Sequence, residues 1–114
     1  MTYIRERWKE PLAAFTKECM LDSRVKPRIL DDSYDSPNLP DDAAWKCQIR
    51  CYGEKLKMLN ATGGVDAQRW SDLFEYLDLP LAQKCAEIQE SDVCEKAFLM
   101  VQCVEDELSK RYPP

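Results

Sequence analysis

The 114-residue chain contains no histidine. Histidine is the side chain most often used as a general base, and it is a common partner of cysteine in zinc sites. Its absence excludes histidine-centred hydrolases, including secreted phospholipases. Because no nucleophile–base pair or metal-ligand pattern appears either, we expect a protein without catalytic residues, metal or cofactor.

Long apolar runs and an excess of positive charge are also missing. No segment approaches the ~18 consecutive apolar residues that a membrane span needs, so we expect no membrane insertion. The formal net charge is −5, which disfavours nucleic acids and anionic membrane surfaces as partners. No signal peptide is visible, and we interpret Met1 as the start of a mature chain.

What the chain does contain is an even set of cysteines. An even number in a short chain predicts disulfides and an oxidising compartment, hence a secreted, extracellular protein. The gaps lack the C-x2-C pairs of zinc sites, which disfavours a six-cysteine metal site. The chain is long enough for one domain with a buried core, so three disulfides would reinforce that core. The six are Cys19, Cys47, Cys51, Cys85, Cys94 and Cys103.

Apolar periodicity predicts an all-α fold of about six helices, since no strand alternation persists. Pro11 should kink or divide the first helix, and Pro27 and Pro80 should each open one. Asp41 and Asp42 suit a helix start, because carboxylates cap free amides. The predicted helices cover about residues 4–19, 27–30, 41–59, 66–77, 80–88 and 91–108, with a loop at 31–40.

Helix geometry restricts where the cysteines can bond. Cys47 and Cys51 share one face of a helix, because each residue advances ~100° around the axis. They stack too closely to bond each other, so each should reach a different helix. Cys94 and Cys103 lie on opposite sides of the last helix, which should therefore be central and attached on both sides. Its segment 97–101 is apolar all round, as a central helix requires.

The third predicted helix also carries an apolar stripe away from its cysteines. The stripe lies within ~40° of one line along the helix, more than ~100° from the sulfur atoms. Such a stripe is either ordinary core or the wall of a cavity, and the sequence leaves both open. Its members are Trp45, Ile49, Tyr52, Leu56 and Leu59.

The cysteine order resembles a known signature. One cysteine, a long gap, C-x3-C, a long gap and C-x8-C, running from residue 19 to 103, is similar to the six-cysteine pattern of insect odorant-binding proteins of the pheromone and general odorant-binding type. The resemblance implies one such domain over residues 1–114, a helical shell around an internal apolar cavity, and binding of small hydrophobic ligands without catalysis. It also implies one of the 15 possible pairings, namely Cys19–Cys51, Cys47–Cys94 and Cys85–Cys103.

We expect about half of the large apolar residues to contact a ligand, because a helical face usually serves both core and cavity. Polar contacts are expected from Tyr52, Tyr76 or Tyr112, which combine apolar area with a hydroxyl. The tail could cover the cavity through Leu108 and Tyr112, or fray. The candidate ligand-binding residues are Trp8, Phe15, Trp45, Ile49, Tyr52, Leu56, Trp70, Leu73, Phe74, Leu77, Phe98, Val101 and Tyr112.

The function that the resemblance implies is extracellular transport of odorants or pheromones in olfaction, with an olfactory receptor or a second copy as further partners. The alternative is a salivary or secreted scavenger of biogenic amines or lipids on the same fold. Carboxylates facing the cavity would favour amines; Asp72, Glu75 and Glu90 are candidates, although we expect them at the surface. Mitochondrial C-x3-C or C-x9-C hairpins and saposin-like proteins have different cysteine patterns.

Two smaller features complete the predictions. Some pheromone-binding members of that family release ligand when histidines titrate, a switch this chain cannot use. Glu105, Asp106 and Glu107 are expected on a solvated face, so affinity should change little between pH 7 and 5.5. Asn60-Ala61-Thr62 is either a glycosylation sequon or part of a turn before two glycines.

Overall fold

A computed structural model describes residues 1–113, which form seven α-helices. A 3₁₀ turn, Ala13–Phe15, joins the first two into one broken helix, so the prediction of an all-α fold with about six helices is confirmed. Within residues 1–113 there is no strand beyond an isolated bridge between Leu59 and Val65. The helices are α1 (Thr2–Leu12), α2 (Thr16–Ser23), α3 (Pro27–Ser33), α4 (Ala43–Lys55), α5 (Ala67–Leu73), α6 (Leu79–Ala86) and α7 (Val93–Arg111).

Aspartate caps begin the last four helices. Asp42, Asp66, Asp78 and Asp92 each accept a hydrogen bond from the backbone N–H three residues later, at 2.8, 3.0, 2.9 and 3.1 Å. Such a cap satisfies one of the free amides of the first turn and is typically worth about 1 kcal/mol. These caps are local signals, which is why the sequence predicted the starts of α4 and α7 closely.

Helix α4 ends earlier than predicted. It stops at Lys55 instead of continuing to Leu59, because Lys57 takes a left-handed conformation with φ of 61°. The amides of Met58 and Leu59 then both donate to the carbonyl of Gly53, at 2.9 and 3.1 Å. The chain folds back so closely that a Cβ on Gly53 would lie 3.0 Å from the Leu59 Cβ. Leu59 is therefore buried, but not as part of the helical stripe.

Helix α5 also ends early, at Leu73. Phe74 is extended and Tyr76 has φ of 72°, so the predicted four-residue stripe is split between helix and loop. The Ser71 hydroxyl donates to the carbonyl of Leu77 at 3.0 Å and holds this turn in place. Phe74 and Leu77 remain buried despite leaving the helix.

The three disulfides have the pairing that the resemblance implied. They join α2 to α4, α4 to α7 and α6 to α7, with Cα–Cα distances of 5.6, 4.6 and 5.7 Å. The two cysteines of α4 therefore reach different helices, and α7 is attached on two sides, as predicted. Within residues 1–113, no helix combines the length and apolar character needed to cross a bilayer. Pro114, the last residue of the predicted domain, lies outside the described residues.

The loop after α4 shows why a sequon pattern can also build a turn. The Oδ1 atom of Asn60 accepts hydrogen bonds from the amide and hydroxyl of Thr62, at 3.0 and 2.8 Å, and from the amide of Gly64 at 2.7 Å. Gly63 has φ of 90°, a conformation that favours glycine. These bonds support the turn role, while glycosylation of the exposed Asn60 stays a prediction.

The core consists of three clusters. The largest joins α1, α5, α6 and α7, and includes Trp8 and Leu108. A second joins α3, α4 and α7 around Trp45 and Phe98, and a third surrounds the disulfide between α2 and α4, with Tyr52. All three clusters contribute residues to one internal cavity, which is the candidate site.

Candidate functional site

The cavity has a volume of about 100 Å³. This exceeds the roughly 10–15 Å³ that a single water needs, so the cavity has room for a small molecule. Its wall is predominantly apolar. The lining residues are Arg5, Trp8, Leu12, Ser33, Tyr34, Leu39, Trp45, Ile49, Tyr52, Gly53, Met58, Trp70, Phe74, Leu77, Val101, Val104 and Glu105.

Eight of the thirteen candidate ligand-binding residues lie in this wall. They come from α1, α4, α5, α7 and the loop after α5, so the fold brings together distant parts of the chain. Their contact with a ligand stays a prediction. The eight are Trp8, Trp45, Ile49, Tyr52, Trp70, Phe74, Leu77 and Val101.

The other five candidates lie elsewhere. Phe15 and Leu73 pack partly buried against the core, and Leu56 is buried within it. Phe98 is buried behind the wall, where its ring meets that of Trp45 edge to face at 6.1 Å. The stripe on α4 therefore divides: its first three residues face the cavity, and Leu56 and Leu59 beyond them belong to the core.

Tyr112, the fifth, sits on the surface. It is 36 % exposed, and its ring packs against Tyr76, which is also exposed, at 5.1 Å between centroids. The Tyr3 ring also packs edge to face against Tyr76, at 6.0 Å between centroids. Leu108 is fully buried in the core cluster. Of the three tyrosines expected as possible polar contacts, Tyr52 lines the cavity and Tyr76 and Tyr112 do not, and the described part of the tail contributes no residue to the wall.

An ion pair in the wall is the largest departure from the sequence prediction. Arg5 on α1 is 4 % exposed and Glu105 on α7 is 7 % exposed. Arg5 Nη2 lies 2.5 Å from Glu105 Oε1, and Arg5 Nε donates to both carboxylate oxygens at 3.1 and 3.2 Å. Glu105 was expected on a solvated face, and that expectation is wrong. Its neighbour Asp106 is indeed exposed.

Helical spacing places both Arg5 and Glu105 on cavity-facing sides of their helices, although the run of acidic residues around Glu105 suggested a solvated face. Glu105 lies four residues after Val101, and Arg5 lies three residues before Trp8, so each shares a face with a cavity residue. Two isolated charges on apolar faces could pair only if α1 and α7 met, and the sequence does not specify that contact.

The surroundings of Glu105 act on its pKa in two directions. Burial raises the pKa above the ordinary value, and the Arg5 guanidinium opposes this shift by stabilising the carboxylate. Arg5 and Glu105 are the charged residues of the wall, and they compensate each other. The cavity therefore offers no uncompensated charge to a ligand.

Arg5 also holds the loop between α3 and α4. Its Nη1 donates to the carbonyls of Ser33, at 3.1 Å, and Ser36. The same loop carries Tyr34 and Leu39 into the cavity wall. One guanidinium thus neutralises the wall carboxylate and fixes the loop that covers this side of the cavity.

Two tyrosines supply most of the remaining polarity. The Tyr52 hydroxyl donates to Thr16 Oγ1 at 3.1 Å, and that hydroxyl donates to the carbonyl of Leu12 at 3.1 Å. Burial, followed by the neighbouring Tyr52 hydroxyl, raises the pKa of Tyr34 far above its ordinary value, so Tyr34 stays neutral. Tyr52 was among the predicted polar groups, whereas Tyr34 was missed because it lies in a segment that reads as a loop.

The candidate amine-binding carboxylates are not in the cavity. Asp72 and Glu75 are exposed and Glu90 is partly exposed, in agreement with the expectation that they lie at the surface. Glu75 contributes only its backbone carbonyl to the region, as the acceptor for Trp8 Nε1 at 2.8 Å.

Comparisons with known proteins agree with this fold. The sequence profile described as "PBP/GOBP family" matches residues 3–107, and the chain belongs to that family. A comparison with curated protein sequences gives no significant match.

Two solved structures resemble the chain throughout. One is the odorant-binding protein dmelOBP28a from Drosophila melanogaster, with a TM-score of 0.71 and 21 % identity over 94 % of this chain and 97 % of that one. The other is the fatty acid binding protein OBP56a from the oral disk of the blowfly Phormia regina, with a TM-score of 0.68 and 22 % identity over 90 % and 92 %. At these identities the similarity shows the shared fold.

Proposed function

We propose that the protein binds one small, neutral, largely apolar molecule in the cavity and transports it outside the cell without changing it chemically. The observation that carries the proposal is the apolar cavity whose two charged groups are paired with each other. Membership of the PBP/GOBP family and the odorant-binding neighbour support this class of ligand.

The disulfides support an extracellular site of action. Such bonds persist in oxidising environments and are rare in the cytosol. The match over residues 3–107 supports a single odorant-binding-type domain over residues 1–114. An olfactory receptor and a homodimer stay predictions, because no contact in the monomer bears on either.

Fatty acids and amines are weaker candidates. A buried carboxylate or ammonium needs an opposite charge as a partner, and the charges of Arg5 and Glu105 are already used by each other. The blowfly neighbour is a fatty acid binding protein. A fatty acid is therefore the charged ligand to compare with a neutral one in binding measurements. A scavenger of amines would require Glu105 to exchange Arg5 for the ligand.

Two measurements on the purified chain test the proposal. Titration with a fluorescent apolar probe should saturate at one probe per chain, and small neutral odorant-like molecules should displace it. Native mass spectrometry should find a co-purified ligand that is neutral and apolar, and would count the subunits. Failure to bind the probe would contradict the proposal, and a co-purified amine would favour the scavenger alternative.

A further inference from the structure

The side-chain amide of Asn60 uses its oxygen and its nitrogen differently. The Oδ1 atom accepts the hydrogen bonds that build the loop after α4, from the amide and hydroxyl of Thr62 and from the amide of Gly64. The Nδ2 atom donates to no acceptor in the described part of the chain. Backbone N–H groups can bond only to an acceptor, so this network fixes which of the two atoms is the oxygen.

The loop is built around this orientation of the Asn60 amide. A Cβ on Gly64 would lie only 2.5 Å from Nδ2 and 3.2 Å from Oδ1, so a residue with a side chain would displace the amide. All the donors to Oδ1 lie within four residues of Asn60, so the turn forms from local contacts. Asn60 itself is exposed, and residues 60–64 contribute nothing to the cavity wall.

The nitrogen that the turn leaves unused is the atom at which asparagine is glycosylated. The acceptor motif is Asn-x-Ser/Thr with x other than proline, on the surface of a secreted protein. Asn60-Ala61-Thr62 meets the motif, and its asparagine meets the requirement for exposure. The turn and the sequon are therefore compatible uses of one side chain, because the turn needs Oδ1 and the sugar needs Nδ2.

A shallow groove beside Asn60 leaves space for a sugar ring. Leu59 and Val65 border it together with the acidic residues Glu54 and Asp66. Sugar rings carry apolar C–H faces and hydroxyl groups, and a border that combines apolar and acidic side chains can contact both. The groove supports attachment at Asn60 without requiring any rearrangement of the loop.

We propose that Asn60 carries an N-linked glycan, joined at Nδ2, in the secreted protein. This inference rests on the extracellular site of action in the proposed function. In the reaction the bond from Nδ2 to the sugar C1 atom forms, and the bond from C1 to the phosphate of a polyprenyl-diphosphate-linked oligosaccharide breaks. The proton from Nδ2 passes to a base of the transferring enzyme. Because the loop lies outside the cavity wall, the glycan leaves ligand affinity unchanged.

The full chain, sent through the secretory pathway of insect cells by an added leader, tests the modification. Mass spectrometry of the peptide containing Asn60 should show a glycan, and an amidase that releases N-linked glycans should remove it and leave aspartate. Thr62→Ser keeps the hydroxyl and should keep the glycan. Thr62→Val has a similar shape without the hydroxyl, and should lose it.

Two substitutions at Asn60 separate the roles of its two polar atoms. Asn60→Asp keeps an acceptor oxygen for the turn and lacks the nitrogen, whereas Asn60→Ala lacks both. In protein made in the bacterial periplasm, which carries no glycan, Asn60→Asp should unfold at the same urea concentration as wild type. Asn60→Ala should unfold at a lower concentration, because the amides of the turn lose their acceptor.

The outcomes distinguish this inference from the proposed function. Secreted wild-type protein with all three disulfides and an unmodified Asn60 would overturn the inference alone. Equal unfolding of Asn60→Ala and wild type, or different affinities of the glycosylated and periplasmic proteins for the fluorescent apolar probe, would also contradict it. Wild-type protein retained in the insect cells with unpaired cysteines would overturn both the glycan and the extracellular site of action. Failure of the periplasmic wild-type protein to bind the probe would overturn the proposed function and leave the glycan standing.

Discussion

The carboxylate of Glu105 and the guanidinium of Arg5 meet inside the cavity wall, 2.5 Å apart at their closest atoms, although 100 positions separate them in the chain. Their contact joins the first and last helices. A buried ion pair adds little stability compared with a well-packed apolar pair, but removal of one partner leaves the other charge buried and alone.

The first prediction concerns this asymmetry. Glu105→Leu should lower the free energy of unfolding by about 3–5 kcal/mol, because the Arg5 cation loses its counter-charge. The double variant Arg5→Met/Glu105→Leu should recover at least half of that loss, even though the Ser33 and Ser36 carbonyls lose a donor. Urea unfolding of Glu105→Leu, Arg5→Met and the double variant measures the three losses. A double variant that loses as much stability as the two single variants together would show that the charges do not act as a pair.

The second prediction follows the raised pKa of Glu105. Because the folded state binds this proton more readily than the unfolded chain does, the contribution of Glu105 to stability is fully present below its unfolded pKa and is lost as the pH rises through the folded value. The free-energy difference between wild type and Glu105→Gln should therefore move in favour of wild type as the pH falls from 7 towards the unfolded pKa of about 4.3.

Urea unfolding of both proteins at a series of pH values checks this sign. Arg5, the amino group of Met1 and Asp106 all act on Glu105, so the comparison must be made at constant ionic strength. A difference that moves towards the variant on acidification would mean that Arg5 outweighs burial. The same variant is the control for ligand affinity, which we still predict to change little between pH 7 and 5.5.

The third prediction compares two disulfides. Cys47–Cys94 spans 47 residues and Cys85–Cys103 spans 18. In the chain-entropy account, the longer loop restricts the unfolded chain more, by about 1 kcal/mol for this pair. Replacing both cysteines of Cys47–Cys94 by serine should therefore destabilise the protein more than the same change in Cys85–Cys103. Chemical unfolding of the two variants decides the order, and the reverse order would mean that the packing around α6 matters more than chain entropy.

The fourth prediction concerns the tail. Since Tyr112 packs on Tyr76 at the surface and Leu108 belongs to the core, deletion of residues 109–114 should leave the ligand off-rate unchanged. A small loss of stability is expected, because the deletion removes the ion pair between Arg111 and Asp78, 2.7 Å apart. Stopped-flow release of the fluorescent probe gives the off-rate. Clearly faster release from the truncated chain would show that the tail covers the cavity in solution.

The sequence specified the features that depend on short distances along the chain. The aspartates before α4 and α7 marked helix starts, and four- and nine-residue spacings showed where the cysteine side chains must point. The ends of α4 and α5 could not be predicted in this way. Lys57 and Tyr76 adopt left-handed conformations because packing, including that of Leu59 on Gly53, outweighs local helix preference.

Only the apolar and aromatic residues of the candidate site could be predicted from the sequence. Aromatic residues at helical spacing are a strong signal, and most of those chosen do line the cavity. Glu105 looked like part of a solvated charge run although it shares a helical face with Val101, and Tyr34 lay in a loop-like segment, so neither was predicted to be buried. Their roles arise from the contact of α1, α3 and α7, which no spacing within one helix can reveal.

The most direct test of the central claim, a cavity that holds the ligand, is to fill that cavity. Val101 lines it on α7, and Val101→Trp would occupy the space; Leu21→Trp, at a site 82 % exposed, is the matched control. Both variants must first show cooperative unfolding, since overpacking can destabilise a core. Titration with the fluorescent apolar probe should then give at least about tenfold weaker binding for Val101→Trp, a loss of about 1.4 kcal/mol, and wild-type binding for Leu21→Trp. Wild-type affinity in a folded Val101→Trp protein would contradict the claim and place the ligand outside this cavity.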